Sequence, residues 1–544
     1  MTINSPYIKI MKTVCFIVLM AGYSITVKAQ LTITSGATFF ISGGSTVTVQ
    51  NLDVVSNANI TGTGILSLTG TSSSNINMNG FDLPQLEMWK TGGASATLTG
   101  SARATGGATN VGLSFNALNT GLLNLGAFNF TLNNTATTSG ASNTTGFVNA
   151  VSTGQLIKEV TTNLTAFNMP VGENTGTAEY SPVSLTTTSG SGTVGVRVVD
   201  PATYEPNKPI RSTEYLSRYW PITQTGNLVM TAKGNYTDAD VVFVAPGTEA
   251  QMYSHFWNGT AWVKGTIADA AGNLTGDVAV ATAGDLYAMN KFSYANIRVK
   301  LNGPLKSIAP YNMTTTLGPL SEAVLPLTEP YRTITGVGQQ PFSVYSGPIP
   351  SSNATEVATT LLNPGTTSAD DVTDWVYVAL YPSLGNIASA PIQTRSGLLQ
   401  SDGDIRDINN TEFLYFKNID DGNYRVAVHH RNHVAIVSNF DVAFSSNPSA
   451  AQYDFTTALN KALVADPSQP AMRVNGGGIY SMWAGDVNHD FIVQGNDFTN
   501  VKISQIQGAF GYIREDVQLN GVTIVGSVTL TQLVFNLGIF SSLF

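Results

Sequence analysis

Between residues 31 and 150, short apolar runs alternate with polar residues and are broken by Gly, Ser and Asn. The runs fall at 31–33, 39–41, 47–49, 52–55, 65–68, 76–78, 122–125 and 128–132. Successive side chains of a strand point to opposite faces, so period-2 alternation between turn residues predicts strands; no stretch here holds a helical period. Short strands that recur without long connections predict stacked coils of a β-solenoid, each coil pairing its edges with the next and filling its interior with Ile, Leu, Val and Phe. The irregular spacing leaves a β-sandwich as the alternative.

The pattern then changes. Residues 151–295 carry longer strands and more aromatics, including 193–199, 215–220 and 256–263, and Asn258-Gly259 is a hairpin signal between aromatic flanks. They read as a β-sandwich-like domain, with residues 201–209 as a Pro-rich surface loop. Residues 296–450 read as a second β-sandwich-like domain with long loops: 376–381, 413–416 and 424–428 are apolar strands, while 304–364 is rich in Pro, Gly, Ser and Thr. Residues 451–544 form a smaller last segment.

Composition narrows the class. Of the 544 residues only 11% are charged, with a formal net charge of −9, which argues against nucleic acid, since a polyanion needs a basic patch. Residues 1–29 read as a signal peptide: Lys9 and Lys12 precede an apolar run, and Val27-Lys28-Ala29 offers a small residue for cleavage. No later segment has the ~18 uninterrupted apolar residues of a membrane span. Cys15, the only cysteine, lies in that signal, so the mature chain is expected to have neither disulfide nor thiol nucleophile. The expected location is outside the cell, secreted or on the outer surface.

Residues 486–497, Asp-Val-Asn-His-Asp-Phe-Ile-Val-Gln-Gly-Asn-Asp, space oxygen side chains as a calcium loop requires. In an EF-hand-type loop, positions 1, 3, 5, 9 and 12 supply side-chain oxygens and position 7 a backbone carbonyl, giving a hard cation six or more oxygens at about 2.3–2.6 Å. Here Asp486, Asn488, Asp490, Gln494 and Asp497 hold those positions, with the Ile492 carbonyl at position 7. Position 6, where the sharp turn usually takes glycine at φ > 0, is Phe491, at a cost of roughly 1 kcal/mol. A polar turn that caps the next helix and binds no ion is the competing reading.

Other candidates favour structure over chemistry. Asp53, Asp82 and Glu87 are the whole acidic supply of the first region and recur at no coil period, so a lyase or glycosidase face is not expected there. His429, His430 and His433 form the densest histidine cluster. On one extended strand His429 and His433 would lie about 13 Å apart, so the expectation is a strand, a turn at Arg431-Asn432, and imidazoles holding backbone groups. Asp402-Gly403 reads as a two-residue hairpin turn within an acid-rich stretch. Trp257 and Trp262, with Tyr253 and Phe256, read either as cross-strand aromatic pairs or as a platform for sugar rings. A hydrolytic site would need Glu214 to converge with Asp238 or Asp240.

From Thr373 onward, Thr-Asp-Trp-Val-Tyr-Val-Ala-Leu380, Gly422-Asn-Tyr-Arg-Val-Ala-Val-His-His-Arg-Asn-His433, Tyr480-Ser-Met-Trp-Ala-Gly-Asp-Val-Asn-His-Asp490 and the stretch through Tyr512, Asp516, Val517 and Gly521 resemble a C-terminal module of bacterial surface proteins. These belong to bacteria with type IX secretion, and some are labelled adhesins or haemagglutinin-like. The loop with Asp497 at its close resembles that of dockerin type I modules, which carry two such loops. Asp516, Gln518, Asn520 and Gly521 match a second loop, but Ser527 stands at its closing carboxylate, so one calcium ion is expected and the second site is degenerate. The tail, residues 533–544, lacks the Pro-Asn-Pro entry and basic end of a type IX sorting domain.

The resulting expectation is a mainly β chain: an N-terminal β-solenoid-like region, two β-sandwich-like domains and a small α-containing, dockerin-like C-terminal segment. It would be a non-enzymatic adhesion or scaffold protein of a Gram-negative bacterium, with Ca2+ at the loop and an extracellular polysaccharide or a surface protein as partner. The alternative is a carbohydrate-binding or accessory protein of a polysaccharide-degrading system.

Overall fold

The computed structural model describes residues 29–117, 121–200, 204–242, 249–317, 325–331, 356–359, 361, 368–383, 390–447, 451–464, 466–523, 536 and 538–541. The stretch read as a signal peptide lies outside these residues apart from Ala29, as do Ser527, most of 304–364 and much of 533–544. By contacts the chain divides into two compact units, Met1–Phe147 and Val148–Phe544. No helix among the described residues is long and apolar enough to cross a membrane.

The described part of the first unit is a parallel β-solenoid. Strands of one face, Gln30–Ile33, Asp53–Ser56, Ser74–Asn77, Ala96–Gly100 and Leu123–Asn124, pair in that order, and their register sets a coil length on this face that drifts between 22 and 27 residues. A second face stacks Thr46–Gln50, Ile65–Gly70, Leu86–Lys90, Val111–Phe115 and Thr137–Ser139. The third pairs Phe39–Ile41 with Ile60–Gly62, and sets Ala102–Ala104 between Asp82–Leu83 and Phe130–Leu132. Val49, Val54, Leu66, Leu68, Ile76, Leu83, Met88 and Leu98 point into the dry interior. One charge goes in with them: Lys90 is fully buried, and its Nζ donates to the Thr69 and Ser72 carbonyls and to Ser74 Oγ at 2.7–2.9 Å, so the ammonium replaces its lost hydration.

The second unit begins with two antiparallel sheets face to face. Leu156–Val160, Gly192–Val196, Trp220–Gly226, Gly284–Asn290, Met252–Trp257 and Trp262–Ile267 form one; Phe167–Met169, Val183–Ser189, Val229–Gly234 and Val278–Val280 form the other. Buried Trp220 fills the space between them, and its indole donates to the Ser181 carbonyl at 2.9 Å. Gly234 is small because a Cβ there would stand 2.7 Å from the Trp220 ring.

An eight-stranded antiparallel sheet follows, built on Val372–Pro382, Gln393–Gln400 and Gly422–His430, with Val442–Ser445, Phe292–Ala295 and Leu414–Lys417 continuing it. Val372–Pro382 is buried on both faces. One side joins the main core through Val376, Val378 and Leu380, while on the other Ala379 and Tyr381 pack with Ala427 and Val437. The turn after Gln400 holds three residues, Ser401-Asp402-Gly403, where the sequence predicted two: the Gln400 amide donates to the Asp404 carbonyl at 2.8 Å, and Gly403 takes φ 103°.

The only α-helix among the described residues, Gly495–Ile506, directly follows the loop at 486–494. Val434 of the sheet, Val487 and Val493 of the loop, Val501 of the helix and Val517 share one small apolar cluster.

Candidate functional site

The backbone of the loop turns as its residue spacing predicts. Phe491 sits at φ 68° and His489 at φ 59°, the left-handed region that L residues enter at a cost. The Phe491 ring packs edge-on to His429, with centroids 6.1 Å apart, which offsets part of that strain. Asp497 closes the loop. Its Oδ1 accepts from the Val487 and Asn488 amides at 2.9 and 3.2 Å, and its Oδ2 accepts from the Gln494 amide at 2.9 Å, so the same carboxylate caps the helix.

Asp486 is the anomaly. It is 1% exposed, and both of its carboxylate oxygens are buried without a well-formed hydrogen bond. Burial, then Asp497 and Asp490, raise its pKa well above the ordinary range, and the approaching amides of His489 and Phe491 only partly counter this. Burial likewise pushes Asp497 up to about 6. Buried carboxylates in one loop with raised pKa values are what a cation would relieve.

Asp490 faces elsewhere. Its Oδ2 accepts from the side-chain amides of Asn488, Gln494 and Asn496 at 2.8, 2.5 and 3.3 Å, and its Oδ1 accepts from the Ile492 amide at 3.2 Å. Those amide groups fill the place where a cation would draw in the side-chain oxygens of Asn488 and Gln494. Asp486, Asp490 and Asp497 form no close carboxylate triad in this arrangement. The donor set suits a hard cation, and loading it would require Asn488 and Gln494 to turn their oxygens inward.

The second loop matches less. Asp516 is buried and accepts from the Asn520 and Gly521 amides at 3.2 and 2.7 Å, an internally satisfied turn.

The histidine cluster folds as a hairpin, Gly422–His430 and His433–Val437, turning at Arg431-Asn432, with His430 opposite His433. The turn residues grip the C-terminal segment. Asn432 Nδ2 donates to the Arg514 and Asp516 carbonyls at 2.9 and 2.8 Å, and Arg431 donates to the Ile513 carbonyl. Behind the turn, Asp374 is fully buried and fully bonded: the Trp375 amide and Tyr512 hydroxyl donate to Oδ1 at 2.7 and 2.6 Å, and His430 and Arg431 donate to Oδ2 at 3.1 and 2.8 Å. These donors hold its pKa down at about 2 despite burial.

Another acidic group had no signal in the sequence. Glu173, Glu179 and Asp200 each place a carboxylate oxygen within 4.8 Å of the others and could hold a metal ion. The fully buried Arg218 already neutralises part of this charge: its Nη2 contacts Glu179 and Asp200 and lies 3.1 Å from Asp240. A metal would have to share these carboxylates with a guanidinium.

The remaining candidates are dispersed. Asp53, Asp82 and Glu87 lie on three different sheets of the solenoid, bound to the Asn75 amide, Arg103 and Ser67. Glu214 pairs with Lys417, Asp238 accepts from Asn273 and Asp240 pairs with Arg218. The exposed two-tryptophan platform does not form, because Trp262 is only 4% exposed; Trp257 is half-buried and packs against it with the rings tilted by 52° and centroids 5.3 Å apart.

Against known proteins, no family model matches the chain, and neither a curated protein nor a solved structure matches it.

Proposed function

We propose that this chain is a non-enzymatic adhesion or scaffold protein, secreted or displayed on the cell surface, whose C-terminal loop binds one calcium ion. The observation that carries this reading is Asp486, a buried carboxylate at position 1 of a loop bent at position 6, whose oxygens have only the approaching His489 and Phe491 amides to offset their burial. A divalent cation there would meet Asp486, Asn488, Asp490, Gln494, Asp497 and the Ile492 carbonyl, and would offset charge that burial otherwise opposes. The scaffold role draws on the solenoid and the two-sheet domain of a chain with only 11% charged residues, and its partner would be an extracellular polysaccharide or a surface protein.

The loop shares its apolar cluster with Val434 of the eight-stranded sheet, and Gly485 just before it donates to the Asn432 carbonyl of the hairpin turn at 2.9 Å, so calcium would stabilise the C-terminal body. The test is calorimetric titration of calcium into the full chain beside the Asp486→Ala/Asp490→Ala double variant. Saturable one-site binding that the variant loses is the expected result. Absence of heat, with the same melting temperature in chelator, would reduce the loop to a capped turn.

A further inference from the structure

Beside the aromatic hairpin a groove of about 350 Å3 opens, lined by Trp257, Trp262, Tyr294 and Phe413 together with Asn207 and Glu412. A second cavity of about 610 Å3, walled by Tyr204 and Tyr215, shares Pro206, Lys208 and Glu412 with it, so the depression runs on past those residues. Both volumes fall in the range of small-molecule sites, about 300–1,000 Å3. Two adjoining cavities with shared walls suit a chain of rings better than a single compact ligand.

The lining is apolar by its aromatic faces and polar by a few fixed groups. Glu412 lines both cavities, and its Oε2 is buried without a well-formed hydrogen bond although the Ile210 amide approaches the carboxylate, so the group keeps acceptor capacity. The Lys208 ammonium is committed inward: it donates to the Pro209 and Ser212 carbonyls at 3.2 and 3.1 Å and sits 4.4 Å from the Tyr215 ring centre. Its charge offsets that of Glu412, so the groove selects neither a polyanion nor a cation. The walls are held in advance. Trp262 Nε1 donates to the Asn207 carbonyl at 3.1 Å, and the Asn207 amide group is tied to Glu205 Oε1 at 2.7 Å, so little side-chain freedom remains to be lost on binding.

We infer that this groove binds a neutral oligosaccharide, with a pyranose face against the Trp257 ring and Glu412 accepting from the sugar hydroxyls. The apolar face of a pyranose packs on an aromatic ring, and its edge hydroxyls need fixed acceptors. This assignment gives the adhesion reading a ligand class and rests on it, but it does not involve the calcium loop.

The experiment follows tryptophan fluorescence and heat on titrating the full chain with neutral hexasaccharides (glucans of β-1,4, β-1,3 and α-1,4 linkage, xylan, mannan and galactan), with polygalacturonate and heparin as acidic controls. At least one neutral sugar should bind saturably, and Trp257→Ala and Glu412→Gln should each weaken it about tenfold. Trp257→Phe, which keeps an aromatic face, should retain most of the binding, separating loss of the stack from loss of the fold. No binding across the neutral panel, binding of the acidic sugars only, or affinity unchanged in both Trp257→Ala and Glu412→Gln would overturn the assignment. Repeating the titration in chelator separates the two readings: sugar binding without any calcium binding would remove the loop and keep the groove, and the reverse would remove the groove alone.

Discussion

His433 Nδ1 lies 3.0 Å from His430 Nδ1, and the direction of the proton between them follows from their other contacts. The Gly303 amide donates to His433 Nε2 at 3.2 Å, so the His433 proton sits on Nδ1, where Asn432 Oδ1 at 2.8 Å and His430 Nδ1 share it. His430 Nδ1 therefore accepts, and its Nε2–H is directed to Asp374 at 3.1 Å. Burial lowers the pKa of both rings, which keeps them neutral, and the result is an ordered chain of donors ending on one ionised carboxylate.

Replacing that carboxylate strands the charges around it. Asp374→Asn removes the carboxylate that the buried Arg431 guanidinium bonds directly and leaves only the more distant charge of Asp516, a loss of about 3–5 kcal/mol. Urea denaturation followed at the Trp375 signal should show a midpoint lowered to match. A loss under about 1 kcal/mol would mean that the turn grips the C-terminal segment without the ion pair.

Acid should destabilise the second unit well above the carboxylate range. His429 packs against Tyr377 and Phe491, and burial alone pushes its pKa down to about 3. Unfolded histidine titrates near 6.5, so below that pH the unfolded chain takes a proton that the folded chain refuses; the stability is complete above pH 6.5 and is lost as the pH falls towards 3. From pH 6.5 to 5, His429 accounts for roughly 2 kcal/mol, and His255, pushed down to about 4, adds to the slope. His429→Leu should flatten the dependence of melting temperature on pH, and an unchanged slope would contradict this account.

The loop predicts a reversal of sign. With chelator present, Asp486→Asn removes a buried, poorly bonded charge and should melt at or above the unaltered protein. With calcium at 100-fold over its Kd, the unaltered protein gains about 2.7 kcal/mol and the variant gains none, so the order of the two melting curves inverts. A variant that melts lower in both conditions would give the carboxylate a structural role unrelated to a cation.

What was legible in the sequence was mostly local. Alternation located Phe39–Ile41, Thr46–Gln50 and Ile65–Gly70, and with them the solenoid, because one face of each strand has to be apolar. Leu86–Lys90 is absent from the alternating runs, and only the fold reveals that Lys90 finds three acceptors inside. The Arg431-Asn432 turn was readable from its residues. Its partners were not, since Asp374 lies 56 residues from His430 and 138 from Tyr512, and no spacing rule joins them. The groove likewise draws on four separate segments, and the sequence offered only its tryptophans.

The solenoid ladder has a consequence for the order in which the chain assembles. Each strand pairs with one about a coil away in sequence, so the same short loop closure is repeated and never lengthened. A polypeptide emerging N-terminus first can therefore complete each coil once the next has arrived. The sheet in which Tyr294 pairs with Ser445 has no such option, because about 150 residues must be delivered before that edge exists.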